Sequence, residues 1–195
     1  MTLLYILLGL ALVAVVYGVI AYNRFVSLIQ RTQEAWADID VQLKRRYDLI
    51  PNLIETVKGY AAHEKSTFNE VTEARTKATQ VHVDPSNLTP ETIAAMAGAE
   101  QALTQSLGKL LAIAENYPDL KANENFLELQ RELTDTENKI QAARRFYNGN
   151  VRDLGIALES FPSNIIGNMF NFQGREYFEL GENEQAAREP VKVSF

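Results

Sequence analysis

The first 23 residues limit the possible folds of this chain more than any other part of it. The stretch "LLYILLGLALVAVVYGVIAY", residues 3–22, holds 20 residues without a charge, which as a helix is about 30 Å long, the thickness of a hydrocarbon core. Tyr5, Tyr17 and Tyr22 lie where interfacial aromatic residues are common. A cleaved signal peptide would have a basic leader and a shorter apolar core. The stretch therefore predicts a transmembrane anchor over residues 1–23.

Charges around this stretch predict its orientation. No Lys or Arg precedes it, whereas Arg24 and Arg31 follow it closely. By the positive-inside rule, we expect a short N-terminus outside a bacterial cytoplasmic membrane and the bulk of the chain in the cytoplasm.

Beyond the anchor, apolar residues recur every three to four positions, as in a helix packed in a bundle or coiled coil. One seven-residue series is Tyr22, Ile29, Trp36, Leu43, Ile50 and Val57. The pattern predicts one helix over residues 24–80, continuous with the anchor. Pro51 interrupts it, and because proline lacks an N–H we expect a kink there rather than a break.

Two further helices are expected, over residues 90–117 and 124–161. Thr89 is the predicted N-cap of the first and Asn123 a candidate cap of the second. Gly149 and Gly155 should weaken the latter helix, and Pro162 should end it. Aromatic residues in 163–195, with Phe195 the last, predict that this segment packs on the bundle. The fold expected is all-α: a transmembrane helix continuing into a long antiparallel bundle of three to four helices.

Composition and motifs argue against most kinds of chemistry. The net charge is −6, divided as +1 over residues 24–80 and −7 beyond them, without a basic stripe for nucleic acid. The chain has no cysteine and two histidines, and "HEKST" at 63–67 lacks the second histidine of a zinc-protease helix. We expect no enzymatic activity and no cofactor.

Charged residues on the apolar seam are more informative. Arg46 falls on a core position of the first helix, and Glu100 and Glu137 fall near the seam of the other two. A lone buried charge is costly, so pairing is expected. Three readings remain open for Arg46: an internal ion pair that fixes register, a groove that grips a partner's carboxylate together with Arg45 and Asp48, or a side chain that reaches out to water.

The anchor itself carries a short packing pattern. Ala14 and Gly18 form a small-xxx-small pair, which permits close approach of another helix. Such pairs also arise by chance in apolar segments.

Several blocks of the sequence resemble the LemA family, and they occur in that family's order. They are "RRYDLIPNLIETVKGYAAHE", "ENYPDLKANENFLELQRELTDTENKI", "RRFYN", "FPSNII" and "REYFE". The resemblance covers nearly the whole chain. It implies a bacterial single-pass membrane protein with a long helical bundle, and no established enzymatic activity or ligand.

Three functional hypotheses follow. The first is a membrane-anchored scaffold that forms homo-oligomers. The second is an adaptor or regulator of another membrane protein, such as a protease or transporter, docked through the acidic surface after residue 90. The third, an enzyme or small-molecule binder, would need a polar pocket between helices that no motif suggests.

Overall fold

The computed structural model describes residues 1–86 and 88–179. Within these residues the chain forms six helices and no strand, which confirms the all-α class. The helices are α1 (Thr2–Lys58), α2 (Lys65–Gln80), α3 (Pro90–Ala114), α4 (Pro118–Lys121), α5 (Glu124–Glu159) and α6 (Ser163–Met169).

Helix α1 joins the apolar N-terminal segment to the core without interruption. It has 57 residues, or a length of about 85 Å. Residues 1–17 are all exposed, whereas from Ala21 onward one face is buried at three- and four-residue intervals. Pro51 lies inside α1 with its ring exposed, so the helix is not broken there; the kink remains a prediction.

The expected single helix over residues 24–80 is wrong, because the chain turns between Lys58 and Lys65. Gly59 disfavours continuation, and the backbone N–H groups of Tyr60 and Ala61 both bond to the carbonyl of Val57. A straight helix would also carry the apolar face of residues 68–78 past the end of the bundle. By turning, the chain buries Phe68, Val71, Ala74 and Ala78.

The turn creates an up-down-up-down arrangement of α1, α2, α3 and α5. Helix α2 folds back along α1, which brings Arg75 to Tyr47, and α3 returns beside α2, with Lys109 paired to Glu70. Helix α5 runs antiparallel to α1 along most of the length outside the anchor segment. One apolar core joins all four helices, as the expected antiparallel bundle requires.

Both predicted caps are present. The Thr89 side chain accepts a hydrogen bond from the N–H of Thr92 and completes a capping box at the start of α3. The Asn123 side chain accepts from the N–H of Phe126 at 2.9 Å and begins α5. Helix α3 ends at Ala114 instead of 117, with the short α4 after it, and α5 ends at Glu159 instead of 161. Helix α5 continues through Gly149 and Gly155.

The described part of the C-terminal segment returns along α5. After α6 the chain places Phe178 in the core, where its ring meets that of Trp36 at 5.4 Å. The Asn148 side chain accepts from the N–H of Phe178 and donates to its carbonyl. Residues 180–195, which include Phe195, lie outside the described residues.

Candidate functional site

The most unusual feature of the bundle interior is a buried arginine. Arg46 is 4% exposed, because its position on α1 points toward the seam between α3 and α5. Its guanidinium donates to Glu100 Oε2 at 3.1 Å and to Thr104 Oγ1 at 2.7 Å, both on α3. It also lies 3.2 Å from Glu137 Oε2 on α5. One side chain therefore connects three helices.

Glu100 is the carboxylate most enclosed by protein in this cluster. Only 3% of it is exposed, and it accepts a short hydrogen bond from the Tyr47 hydroxyl in addition to its pair with Arg46. Burial raises the pKa of Glu100, and the Tyr47 hydrogen bond and Arg46 oppose that rise. Burial next to Glu100 also raises the pKa of Tyr47, so that hydroxyl stays a neutral donor.

Basic and acidic side chains occur in equal number around Glu100. Glu137 raises and Arg144 lowers the pKa of Glu100, which places both charges within electrostatic reach of it. Arg144 also lies over the Phe178 ring, with 5.1 Å from guanidinium carbon to ring centroid. Two arginines thus face two carboxylates, and the cations that a buried acid needs come from the same chain. Hereafter Arg46, Tyr47, Glu100, Thr104, Glu137 and Arg144 are called the seam cluster.

Hydrogen bonding in the seam cluster is incomplete. Arg46 Nε of the cluster, and Gln42 Oε1 one helical turn before it on α1, are buried without a hydrogen-bond partner among the described residues. Unsatisfied buried groups reduce stability. The cluster is therefore not arranged for the greatest stability, and its proposed role in fixing the helix register stays a prediction.

Pro51, one helical turn after Tyr47 on α1, changes the hydrogen bonding of the Tyr47 carbonyl. Since proline has no N–H, the carbonyl of Tyr47 loses its usual partner within the helix. In the structure Arg75 of α2 donates its Nε–H to that carbonyl at 2.8 Å. Tyr47 therefore bonds to α2 through its carbonyl and to α3 through its hydroxyl.

The structure separates the three residues that were grouped as one possible contact. Arg46 points inward, whereas the half-exposed Arg45 turns along α5 to pair with Glu132 and, at 3.6 Å, with Asp135. Asp48 is exposed and outside the seam cluster. Arg45, Arg46 and Asp48 therefore do not form one surface.

In the anchor, Gly18 packs against its own chain. A Cβ built on Gly18 would lie 3.7 Å from Ile166 Cδ1 of α6. Ala14 and Gly18 line one apolar groove with Ile166, Met169 and Phe170. Part of the small-residue face is thus occupied by α6.

Both histidines of the chain lie on its surface. His63 is exposed in the turn between α1 and α2, and His82 is exposed after α2. Among residues 1–86 and 88–179, no group of three or more His, Cys, Asp or Glu side chains is arranged to hold a metal ion.

Sequence reasoning identified Arg46, Glu100 and Glu137 but missed Tyr47, Thr104, Arg75 and Arg144. Two signals could have found some of them. Thr104 lies one helical turn after Glu100, on the same face, and the carbonyl freed by Pro51 requires a donor from another helix. Arg144 had no such signal, because its neighbours come from distant parts of the chain.

The fold and the seam cluster together define a class: a helical-bundle protein whose first helix is long and apolar enough to cross a membrane. Its most apolar window has a mean hydropathy of 2.7 and none of it is buried. The chain belongs to the LemA family, whose model matches residues 35–195.

Named relatives agree with this membership. Magnetosome protein MamQ 2 of Paramagnetospirillum magneticum is 25% identical over 175 residues, which cover 81% of this chain and 64% of that protein. Magnetosome protein MamQ of Magnetospirillum gryphiswaldense is 24% identical, with 80% and 64% covered. Protein LemA of Metamycoplasma hominis is 25% identical, with 78% and 66% covered. The chain thus spans slightly less than two thirds of the relatives' own length.

Proposed function

We propose that this chain is a non-catalytic scaffold, anchored by the start of α1 in a bacterial cytoplasmic membrane, that self-associates there. One observation carries the proposal. The segment able to span a membrane and the segment that forms the core are the same uninterrupted helix. A bundle built on such a helix has a fixed direction relative to the bilayer, without a linker that would let it reorient.

The balance of buried charge supports a structural role. Arg46 of α1 forms ion pairs with Glu100 of α3 and Glu137 of α5, so the buried charges are paired within the chain. Arg24 and Arg31 after the span support a cytoplasmic bundle with a short N-terminus outside.

Self-association has a candidate surface outside the membrane segment. Phe146 and Ile156 of α5 are 58% and 52% exposed. With Gly149 and Asp153 between them, at spacings of three, four and three, they lie on one helix face. Exposed apolar side chains on one face are typical of a protein contact.

Measuring the mass of the full-length protein in lipid nanodiscs tests this proposal. We expect more than one copy per disc for the unaltered chain and a shift toward one copy for the double variant Phe146→Glu with Ile156→Glu. Gln141→Glu, an exposed change on the same helix, is the matched control and should leave the mass unchanged. Single copies for the unaltered chain, at protein concentrations of micromolar order, would argue against self-association.

A second candidate, an adaptor for another membrane protein, is favoured by the acidic ridge at the start of α5. Glu124, Glu128 and Glu132 follow four-residue spacing there, at the end of the bundle where Asn123 meets Tyr60. A basic partner would fit this ridge. Stoichiometric co-purification of a different protein, lost when Glu124 and Glu128 are changed to Lys, would favour the adaptor over the scaffold.

A further inference from the structure

A second uncharged segment follows α5. From Ser160 to Gly174 the chain has 15 residues without a charge, with Glu159 before and Arg175 after them. This segment, residues 160–174, contains α6 and is called the α6 segment.

The α6 segment exposes large apolar side chains and buries small residues, although Asn168 is exposed as well. Its small residues Ser163 and Gly167 are buried, whereas Phe161, Ile165 and Met169 point outward and are 81%, 51% and 69% exposed. Ile165 and Met169, four residues apart, lie on one face of α6, and Phe161 lies in the turn before it. Among the described residues, that face is not covered by the bundle core.

The inward face of the α6 segment fits tightly against the bundle. A Cβ on Gly167 would lie 3.1 Å from Leu158 Cδ2 and 3.3 Å from Phe25 Cζ. The Ser163 hydroxyl donates to the carbonyl of Ala157 at 2.7 Å. These contacts fix the position of α6 on α1 and α5, and therefore its level along α1.

That level lies within the uncharged span of α1. Ile166 of α6 packs beside Gly18, six residues before Arg24, the first charge after the span. Six helical residues rise about 9 Å, so Ile166 lies about 9 Å closer to the bilayer centre than Arg24 if α1 crosses upright. A bilayer that holds residues 3–22 has to surround Ile166, Met169 and Phe170 as well, whereas residues 171–174 lie further along α1, in a pocket with Ile29 and Leu88.

Aromatic rings of α1 and the α6 segment meet about one helical turn after Gly18, near the end of the uncharged span. The Tyr22 ring meets those of Phe170 and Phe172 at 4.8 and 5.4 Å, and Phe25 stacks on Phe172 at 5.0 Å. Aromatic residues concentrate at the boundary between hydrocarbon and headgroups. Arg24, the first charge after the span, is suited to lipid phosphates.

We propose that the α6 segment is a second membrane contact, which enters one leaflet beside α1 without crossing it. Its outward face contacts lipid, and the apolar groove between α6 and residues 14–22 holds acyl chain. The inference deepens the proposed membrane anchorage and rests on it. Such a contact, added to the spanning helix, fixes both the depth and the rotation of α1 in the bilayer.

Lipid is the occupant favoured over a second copy of this chain, because the outward face belongs to the same apolar surface as the span. The groove is lined by Ala14, Val15, Gly18, Val19 and Tyr22 together with three α6-segment residues. Lipid that surrounds α1 on its free sides reaches the groove without any further assembly.

Single-cysteine labelling of the full-length chain tests this proposal, since the chain contains no cysteine of its own. Environment-sensitive fluorophores are attached at Met169→Cys, at Leu12→Cys in the span and at Asn125→Cys at the distal end, each in phosphatidylcholine and phosphatidylglycerol vesicles. Lipids carrying a quencher at a shallow or a deep acyl position are then compared.

We expect the Met169 label to be quenched several-fold more than the Asn125 label, and more by the shallow than by the deep quencher. The Leu12 label should be quenched more by the deep quencher. A Met169 label quenched as weakly as Asn125, beside a quenched Leu12 label, would overturn the second contact and leave the anchorage intact. If lipid quenchers do not reach the Met169 label but its emission still reports a non-aqueous environment, the face is covered by a second copy. That result also overturns the second membrane contact. An unquenched Leu12 label would overturn the anchorage itself and the second contact with it.

Discussion

The two ends of the bundle are built with opposite polarity. At the distal end α1, α2, α3 and α5 bury an arginine and a glutamate in an apolar core. At the end nearest the apolar N-terminal segment, α6 buries Ser163 and Gly167 and turns Ile165 and Met169 outward. We attribute the difference to the surroundings of the two ends, which we propose to be water at the distal end and lipid beside the part of α1 before Tyr22.

The largest change in stability is expected when the buried arginine of the distal end, Arg46, is removed. Arg46→Met leaves Glu100 and Glu137 without their shared partner and should lower the free energy of unfolding by about 3–5 kcal/mol. Chemical unfolding in detergent, followed by circular dichroism, measures this.

Arg45→Met provides the matched control for that change. The neighbouring side chain has 38% exposure in its ion pair, so its loss should cost less than about 1 kcal/mol. If Arg46→Met folded with unchanged stability but lost assembly, Arg46 would be a partner contact and the seam cluster would not have the role described.

At the opposite end, Gly167→Leu should push α6 away from α5 and α1, because even a Cβ there falls 3.1 Å from Leu158. We expect a cost of about 1–3 kcal/mol and faster hydrogen exchange confined to residues 160–174. Gly149→Leu, at a position with nothing within 4 Å of a Cβ, is the control. Equal exchange in both variants would mean that the close contact does not hold α6.

The link between Pro51 and Arg75 is expected to have a smaller effect. Arg75→Met leaves the carbonyl of Tyr47 without its donor and should cost about 1–2 kcal/mol. In a Pro51→Ala background the restored N–H can bond that carbonyl within α1, so the cost of Arg75→Met should fall. A double-mutant cycle from unfolding curves measures the coupling, and additive costs would show that Arg75 acts elsewhere.

The smallest expected effect is a pH dependence from Glu100. Its pKa is raised above the ordinary value of 4.5, so the folded state holds this proton more tightly than the unfolded state. The contribution of Glu100 to stability therefore falls as pH rises from about 4.5 through the folded pKa.

Unfolding free energies of the unaltered chain and of Glu100→Gln, measured across this pH range, test the sign. The difference between them removes the shared titration of other carboxylates. Stability of the unaltered chain that rises relative to Glu100→Gln with pH would show that Arg46 and Tyr47 outweigh the effect of burial.

Periodicity in the sequence predicted much of this structure, and its failures have physical causes. The inward position of Arg46 followed from seven-residue spacing, and the caps at Thr89 and Asn123 from local chemistry. The turn after Lys58 was missed because the apolar spacing stays in phase through Ala61, so the pattern alone could not show that α2 folds back.

The seam cluster and the position of α6 depend on contacts between residues that are far apart in the sequence. The seam cluster needs residues 46, 100 and 137 to reach the same level, which depends on the lengths of loops that no periodicity predicts. The position of α6 depends on the missing side chain of Gly167 and its fit to Leu158. From the sequence, residues 163–195 were expected to pack on the bundle, and no pattern predicted that α6 has an outward apolar face.

The most direct test that α1 rigidly connects the apolar N-terminal segment to the bundle is a distance measured between one residue in each. Leu12 and Val41 are both exposed and, across 29 residues of one helix, their backbones should lie about 44 Å apart. Spin labels at these two positions in nanodisc-embedded protein, measured by pulsed electron paramagnetic resonance, should give one narrow distribution near that value. A broad distribution, or one centred well below it, would show a flexible or broken connection and contradict the claim that the anchor and the bundle are one rigid unit.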